Sequence, residues 1–303
     1  VSALIVVGSA SRDYTVIVDR HPQPGETLLG GDIVTGAGGK GANQAVAASA
    51  AGVPPVFIGS FGDDSTGHEL IEELRSNGVD VSHVTTTTEA PTGVALITVV
   101  TSGENSIVVA AGANARLQPD TSAAIIRSLA SPATVVLAQL EVPLATVIAV
   151  ADATRDAGAR FVLNLSPSRE IPAALLALCD PLVVNESEAA AVSGRAVSSV
   201  ADALAVAKEL LQQSVSVVIT LGGDGVVLAT AEGVSHSPAH QVSVVDTTGA
   251  GDAFVGALAA ELARGADLAS AVEAGTAAGA RAVQHLGAQP PRSPQPPQPP
   301  QPN

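Results

Sequence analysis

Apolar residues fall along this chain in two alternating rhythms. Short β-branched runs at Leu4–Val7, Val56–Ile58, Thr134–Ala138, Phe161–Leu165, Leu182–Val184, Val217–Thr220 and Val226–Ala229 read as buried strands. Between them, at about 41–51, 66–77, 120–129, 144–157, 186–193, 200–213, 251–264 and 267–284, apolar residues recur at three- and four-residue spacing. That is the period of a helix with one buried face. The alternation predicts an α/β fold, a mostly parallel central sheet with helices on both faces. Ligands of such sheets sit beyond the carboxyl ends of the strands.

Two regions break the rhythm. Residues 13–35 and 91–110 read as short strands with turns and no helix between them. Thr92–Val100 and Ser106–Ala110 are joined by Thr101-Ser-Gly-Glu-Asn105, a hairpin signal. The chain ends in Pro290-Pro-Arg-Ser-Pro-Gln-Pro-Pro-Gln-Pro-Pro-Gln-Pro-Asn303. Its proline density excludes a helix and predicts a disordered or polyproline II tail over 291–303.

Composition narrows the function classes. The chain has 303 residues, enough for a large core, and 46% of them are hydrophobic. No apolar run reaches the roughly 18 residues of a membrane span. The N-terminal residues lack a basic leader and a long apolar core, so no signal peptide is expected. Cys179 is the only cysteine, which excludes an intrachain disulfide and suits a cytoplasmic protein. A net charge of −15 argues against a nucleic-acid or anionic-membrane surface. It leaves ATP open, because a nucleotide site needs only local donors and Mg²⁺. The six histidines show no metal-ligand spacing. Aromatics are limited to Tyr14, Phe57, Phe61, Phe161 and Phe254, so a core of Ala, Val, Leu and Ile is expected, with little to stack a nucleobase.

Two glycine-rich stretches carry the chemistry. Gln241–Val245 predicts a strand, Asp246-Thr-Thr-Gly-Ala-Gly-Asp252 a turn, and Ala253, Phe254, Ala257, Leu258 and Leu262 the buried face of a helix. At a helix N-terminus the unpaired N–H groups and the dipole favour an anion. Asp252 lies in the first turn, where a low pKa is expected of it. An anion cradle beside a carboxylate is what phosphoryl transfer to a hydroxyl requires. Taken alone, the stretch also reads as a capped helix start. The second stretch, Gly36-Ala-Gly-Gly-Lys-Gly-Ala-Asn43, is not a Walker A loop, because Gly41 follows Lys40 where Ser or Thr would bind Mg²⁺. Its glycines allow close approach to a small polar ligand, and Lys40 and Asn43 supply donors. Alone, it could equally be a turn before a core helix, with Lys40 solvated.

In this order the two stretches resemble the N-terminal and C-terminal signatures of the ribokinase-like family of carbohydrate kinases. The likeness is collinear from about residue 3 to 290. It runs through Pro24-Gly-Glu-Thr27, Gly62-Asp-Asp64, Thr92-Gly-Val-Ala-Leu-Ile97, Gly112-Ala-Asn114, Gln139-Leu-Glu141, Asn185-Glu-Ser-Glu188, Thr220-Leu-Gly222 and Gly287-Ala-Gln-Pro290. The resemblance implies one ribokinase-like kinase domain over 1–290, with the strand-rich segments forming a small β-sheet lid shared in a homodimer. It implies ATP-dependent phosphorylation of D-ribose at its 5-hydroxyl. A kinase of deoxyribose or fructose, or a non-catalytic sugar-binding protein on the same fold, is the alternative.

The same resemblance assigns roles. Asp252 is the base for the sugar hydroxyl, which in a loose transition state needs orientation more than early deprotonation. Gly249, Ala250 and Gly251 form the anion hole. Ser11, Asp13, Gly39, Lys40, Asn43 and Glu141 hold the sugar. Taken singly, Asp13 and Glu141 also read as capping or solvated acids. Asn185 and Glu188 are associated with Mg²⁺ and phosphate. Thr220, Gly222, Gly225, Gly251 and Thr276 belong to the nucleotide. Asp246, Thr248, Ala282, His285 and Gly287 would hold K⁺, largely through carbonyls. The chain departs from the family at Ser11, where Asn is usual, and at Pro291, where a Ser ligand of K⁺ and a final helix are expected.

Overall fold

The structure is a computed structural model and describes residues 3–100, 104–285 and 287–289. Part of the turn expected at 101–105, and all of the tail expected over 291–303, lie outside the described residues.

The chain opens with β1 (Leu4–Val7), β2 (Ser11–Val18) and β3 (Val34–Gly38), followed by α1 (Lys40–Ala50). Next come β4 (Val56–Ile58), β5 (Ser60–Gly62), α2 (Ser65–Ser76), β6 (Thr85–Thr87), β7 (Gly93–Val100) and β8 (Asn105–Ala110). A 3₁₀ turn at Gly112–Arg116 leads into α3 (Pro119–Leu129), β9 (Val135–Ala138), α4 (Leu144–Asp156) and β10 (Arg160–Asn164). The second half holds α5 (Ala173–Leu176), β11 (Cys179–Asn185), α6 (Glu186–Ser193), α7 (Val200–Leu210), β12 (Val217–Thr220), β13 (Val226–Thr230), β14 (Gly233–Ser237), α8 (Ala250–Ala263) and α9 (Leu268–Ala282).

Among the described residues, the central sheet has eight strands in the order β14-β13-β12-β11-β10-β9-β1-β4. β4 through β12 run parallel, and β13 and β14 add an antiparallel edge. Alternation along β1 shows how both faces are filled. Ile5 and Val7 pack into a core with residues of α3, α4, α5, α6 and α7, such as Ile126, Val150 and Val206. Leu4 and Val6 face the other core, built from α1, α2, α8 and α9. Successive side chains of a strand point to opposite faces, so a strand covered on both sides must be apolar throughout.

Gln241–Val245 does not form the expected strand. Pro238 follows the edge strand β14, and the run beyond it finds no ladder; Val244 and Val245 stay more than half exposed. Its firm contact is instead Val245 N–H, with Asp246 N–H, to the Val283 carbonyl at 2.7 and 3.2 Å. Alternation was present, but a strand needs a partner edge as well.

A second sheet, ordered β3-β2-β7-β8, comes from the two strand-rich regions. Arg12 on β2 ties it to α2, with its buried guanidinium donating to Glu69 at 3.1 Å and Glu73 at 3.2 Å. Asn114, in the 3₁₀ turn, holds Ala10 between β1 and β2: Ala10 N–H donates to Asn114 Oδ1 at 3.0 Å, and Asn114 Nδ2 donates to the Ala10 carbonyl at 2.8 Å. Asp64 caps α2 through Gly67 N–H at 2.7 Å and also accepts the N–H and hydroxyl of Thr92.

Asn114→Ala would leave the buried N–H and carbonyl of Ala10 unpaired, at about 1–3 kcal/mol for each group. The melting temperature should fall by several degrees. A melt indistinguishable from wild type would show that Asn114 does not hold this connection.

Candidate active site

The two glycine stretches meet beyond the carboxyl ends of the parallel strands. Asn164 ends β10, Asn185 ends β11 and Thr220 ends β12. They line a cleft of about 130 Å³ together with Lys40, Glu188, Gly249, Gly251 and Asp252. α1 and α8 both begin at this edge, and the glycines before them are obligatory. Gly39 has φ 88° and Gly249 φ 75°; a Cβ on either would lie 2.5–2.6 Å from the backbone of Ala10 or Ala288. The first N–H groups of α8 have no acceptor within the helix; Ala250 N–H turns back to the Thr247 carbonyl at 3.2 Å, and the remaining donors of the Gly249–Gly251 turn are open to an anion.

Asp252 is held from α1. Asn43 Nδ2 donates to its Oδ2 at 3.1 Å, and Gln44 Nε2 to its Oδ1 at 2.8 Å. Gln44 is itself buried and also donates to Asn164 Oδ1 at 2.9 Å. Removal from water pushes the Asp252 carboxyl above its ordinary pKa, against the pull of Lys40, Gln44 and Asn43, with Glu141 adding to the rise. This overturns the low pKa expected from the helix N-terminus. The dipole effect of a helix end is modest where the group is solvated, and here loss of solvent outweighs it.

Two further acids stand near. Glu141, just beyond β9, accepts the Ser9 hydroxyl at 2.5 Å and the Lys40 backbone N–H at 2.9 Å. Asp13, on β2, accepts the Ser11 hydroxyl at 2.9 Å. Burial lifts Asp13 to about 6; Ser11 and Arg12 oppose the rise, and the neighbouring charges of Glu141 and Asp252 add to it. So Asp13, Lys40, Asn43, Glu141 and Asp252 form one electrostatically linked group. Ser11 is buried, its hydroxyl engaged by Asp13.

The other expected residues fall in three places. Asn185 and Glu188 form a capping box on α6: Glu188 N–H donates to Asn185 Oδ1 at 2.8 Å, and Asn185 N–H to Glu188 Oε2 at 2.9 Å. Gly222 and Gly225 bracket a tight turn between β12 and β13, with Leu221 N–H donating to the Gly225 carbonyl at 2.8 Å. Thr276 is buried inside α9, its hydroxyl bonded to the Val272 carbonyl at 2.9 Å. Asp246, Thr248 and Gly287 are gathered in a loop pair. Asp246 accepts the N–H and hydroxyl of Thr248 at 2.9 and 2.7 Å and Gly287 N–H at 2.9 Å. Burial pushes the Asp246 carboxyl up, and these donors outweigh it, leaving its pKa below the ordinary range. Ala282 joins the loops by accepting His285 N–H at 3.2 Å.

Sequence reasoning assigned no role to Ser9, Gln44 or Asn164. Gln44 adjoins Asn43 in the glycine stretch, and two neighbouring amides at a helix start were the available signal. Asn164, a polar residue ending an otherwise apolar strand run, was another. Ser9 carried none.

The chain matches the description pfkB family carbohydrate kinase over residues 2–296. It belongs to that family. It is therefore a phosphotransferase acting on a sugar hydroxyl. It is 37% identical to a ribokinase of Staphylococcus aureus, over 94% of this chain and 95% of that one. It is 40% identical to a bifunctional ribokinase/ribose-5-phosphate isomerase A of Fructilactobacillus sanfranciscensis, covering 86% of this chain but only 48% of that longer protein. Among solved structures, Arabidopsis thaliana ribokinase complexed with ribose and ATP superposes with a TM-score of 0.85 at 32% identity, over 94% of this chain and 93% of that one.

The Asp13 shift gives a pH dependence. Only the ionised carboxylate can accept hydroxyl hydrogen bonds with both oxygens, so sugar binding should weaken as pH falls through about 6. In the sugar-free protein the sign reverses. The raised pKa contributes stability that is complete below the ordinary carboxylate range and is lost as pH rises through about 6. Measured sugar affinity should therefore drop between pH 7 and 5 in wild type and vary less in Asp13→Asn. An equal drop in both would assign the titration elsewhere.

Proposed function

We propose that the protein transfers the γ-phosphoryl group of ATP to the 5-hydroxyl of D-ribose, within a single kinase domain over residues 1–290 and in the cytoplasm. The observation that carries this reading is the Asp252 carboxylate, oriented by Asn43 and Gln44 beside the Gly249–Gly251 turn. A relative named ribokinase along nearly its whole length supports the choice of sugar. In the reaction, Asp13 and Glu141 accept sugar hydroxyls and Asn43 donates to them. Asp252 orients the 5-hydroxyl and takes its proton as the bond to phosphorus forms. The N–H groups of the Gly249–Gly251 turn stabilise charge on the transferring phosphoryl oxygens. Lys40 lines the same cleft and offsets the negative field of the three acids. Thr220, Gly222 and Gly225 shape the turn beside which the nucleotide would lie, and Thr276 supports it from behind through its place in α9.

The donor set fits a divalent ion held mainly through water and phosphate. Glu188 lines the cleft with one carboxylate oxygen outside the capping box. Among the described residues no group of three or more acidic, histidine or cysteine side chains could hold an ion by itself. Magnesium bound by one or two carboxylates and substrate phosphates matches that pattern. When bound, it would neutralise charge on the phosphates. The oxygen-rich loop pair of Asp246, Thr248, Ala282, His285 and Gly287 would suit K⁺.

The same reading includes a homodimer through the second sheet. Ile17, Leu96, Ile107, Val108 and Val109 are each more than half exposed there, and β8 is an open edge. Leu96 and Val108 lie side by side on one face of that sheet and Ile17, Ile107 and Val109 on the other, and exposed apolar residues at an edge strand mark an association surface. Val108→Lys should shift the chain to monomer in sedimentation velocity. A dimer unaffected by this change would place the contact elsewhere.

Asp252→Asn should lower kcat by about 10²–10⁴-fold while leaving sugar affinity within a few-fold. A variant retaining half of wild-type kcat would refute the base assignment. Coupled ADP release across pentoses and hexoses tests the substrate: ribose should give the highest kcat/KM, and a better deoxyribose or fructose would displace it.

A further inference from the structure

A larger cavity than the cleft lies at the far edge of the central sheet. It has about 220 Å³ and shares no lining residue with the cleft. Its floor is apolar, from Ile58, Leu117 and Ile125. Its walls come from the threonines of β6 and from the first turn of α3.

Three observations point to a ligand. First, α3 is eleven residues long and starts without a side-chain cap; Ser122 N–H is taken by the Gln118 carbonyl at 3.1 Å, and the Thr121 N–H is left with the positive end of the dipole at the cavity wall. Asp120, in the same turn, is exposed and is not among the lining residues. Second, the Ser60 side chain lines the cavity at 4% exposure and has no hydrogen-bond partner among the described residues. Its oxygen still meets solvent in the cavity, so the hydroxyl is available to donate to an occupant. Third, Arg116, an exposed residue, lines the wall, and its guanidinium has no acid or carbonyl partner among the described residues in a chain of net charge −15. A planar fork of donors left free in an acidic protein suits a phosphate or carboxylate. The hydroxyls of Thr86 and Thr121 are likewise without partners.

We propose that this cavity is a second ligand site, for a small phosphorylated organic molecule. The phosphate sits between Arg116 and the start of α3, with Ser60 donating to it. The organic part lies over Ile58 and Leu117, its hydroxyls meeting Thr86, Thr121 and the Glu89 carboxylate at the rim. Inorganic phosphate alone leaves the apolar floor and the Glu89 side uncovered, so it binds less tightly. The site does not depend on the sugar or nucleotide assigned to the cleft.

His83 also lines the cavity and is the local reporter. Imidazole NMR spectra of the full chain, with the His83 signal identified by its loss in His83→Gln, are titrated with glycerol 3-phosphate, inorganic phosphate and glycerol. Glycerol 3-phosphate should move the His83 signal saturably, inorganic phosphate should do so only at higher concentration, and glycerol should not. Arg116→Ala should weaken the response about tenfold or more through loss of a charge-assisted hydrogen bond. Its melting temperature and kinase turnover should stay at wild-type values. A His83 signal that ignores glycerol 3-phosphate, or a response unchanged in Arg116→Ala, would overturn the site. Equal affinity for inorganic phosphate would reduce it to adventitious anion binding and overturn the organic ligand.

Discussion

The site depends on how closely α1 approaches α8. A Cβ on Gly256 would lie 2.5 Å from the Gln44 carbonyl and 2.6 Å from the Ala47 Cβ, so the two helices touch almost backbone to backbone. The contact sets Gly256 of α8 against Gln44, Ala47 and Ala48 of α1. That proximity brings amides in the first turn of α1 onto a carboxylate in the first turn of α8, more than two hundred residues later. Hydrogen bonds of 2.8 and 3.1 Å do not survive an ångström of separation. A larger side chain at Gly256 would therefore act on catalysis without touching substrate.

The cost of this arrangement is electrostatic. The charge of Glu141 raises the pKa of both Asp13 and Asp252, and Asp252 adds to the rise at Asp13, across a region from which water is partly excluded. Each acid is met by donors that the backbone frame already fixes: Ser11 for Asp13, Ser9 and the Lys40 N–H for Glu141, Asn43 and Gln44 for Asp252. A polyol is a neutral molecule rich in donors. It can satisfy the remaining lone pairs of three carboxylates without adding charge, whereas a second anion could not. On the proposed assignment the acids would favour a neutral polyol and the helix N-terminus beside them a phosphate, and the transferred group would pass between the two.

Much of this was legible in the chain because the elements are locally determined. The strands Leu4–Val7, Val56–Ile58 and Val217–Thr220 and the helix at 186–193 occur where their apolar spacing placed them. What failed depended on partners distant in sequence. Gln241–Val245 alternates like a strand, but its neighbour Val283 belongs to the end of α9 and offers one carbonyl rather than an edge. The Asp252 pKa could not be read from its helix position, because burial by α1 and the charge of Glu141 come from elsewhere. Gln44 is the instructive omission. Its one local signal, a second amide beside Asn43 at a helix start, does not tell it from a solvated glutamine, yet it is fully buried and its amide reaches both Asn164 and Asp252.

Asn185 and Glu188 form a helix-capping motif on the residues to which the proposed ligand role falls. The capping box engages Asn185 Oδ1 twice, by Glu188 N–H and the Ser187 hydroxyl, so that oxygen has little left for a metal. Glu188 is different. Only Oε2 is held, by the Asn185 N–H, and the side chain is 94% withdrawn from solvent with its second oxygen still beside the cleft. A free glutamate would lose up to about 2 kcal/mol of rotamer entropy on fixing its carboxylate to an ion. Here the cap has already fixed it, at the end of the strand that also positions Asn185. The Asn-x-x-Glu spacing is thus first a helix start. The helix start also fixes the glutamate carboxylate beside the cleft, where the proposed role toward a divalent ion would use it.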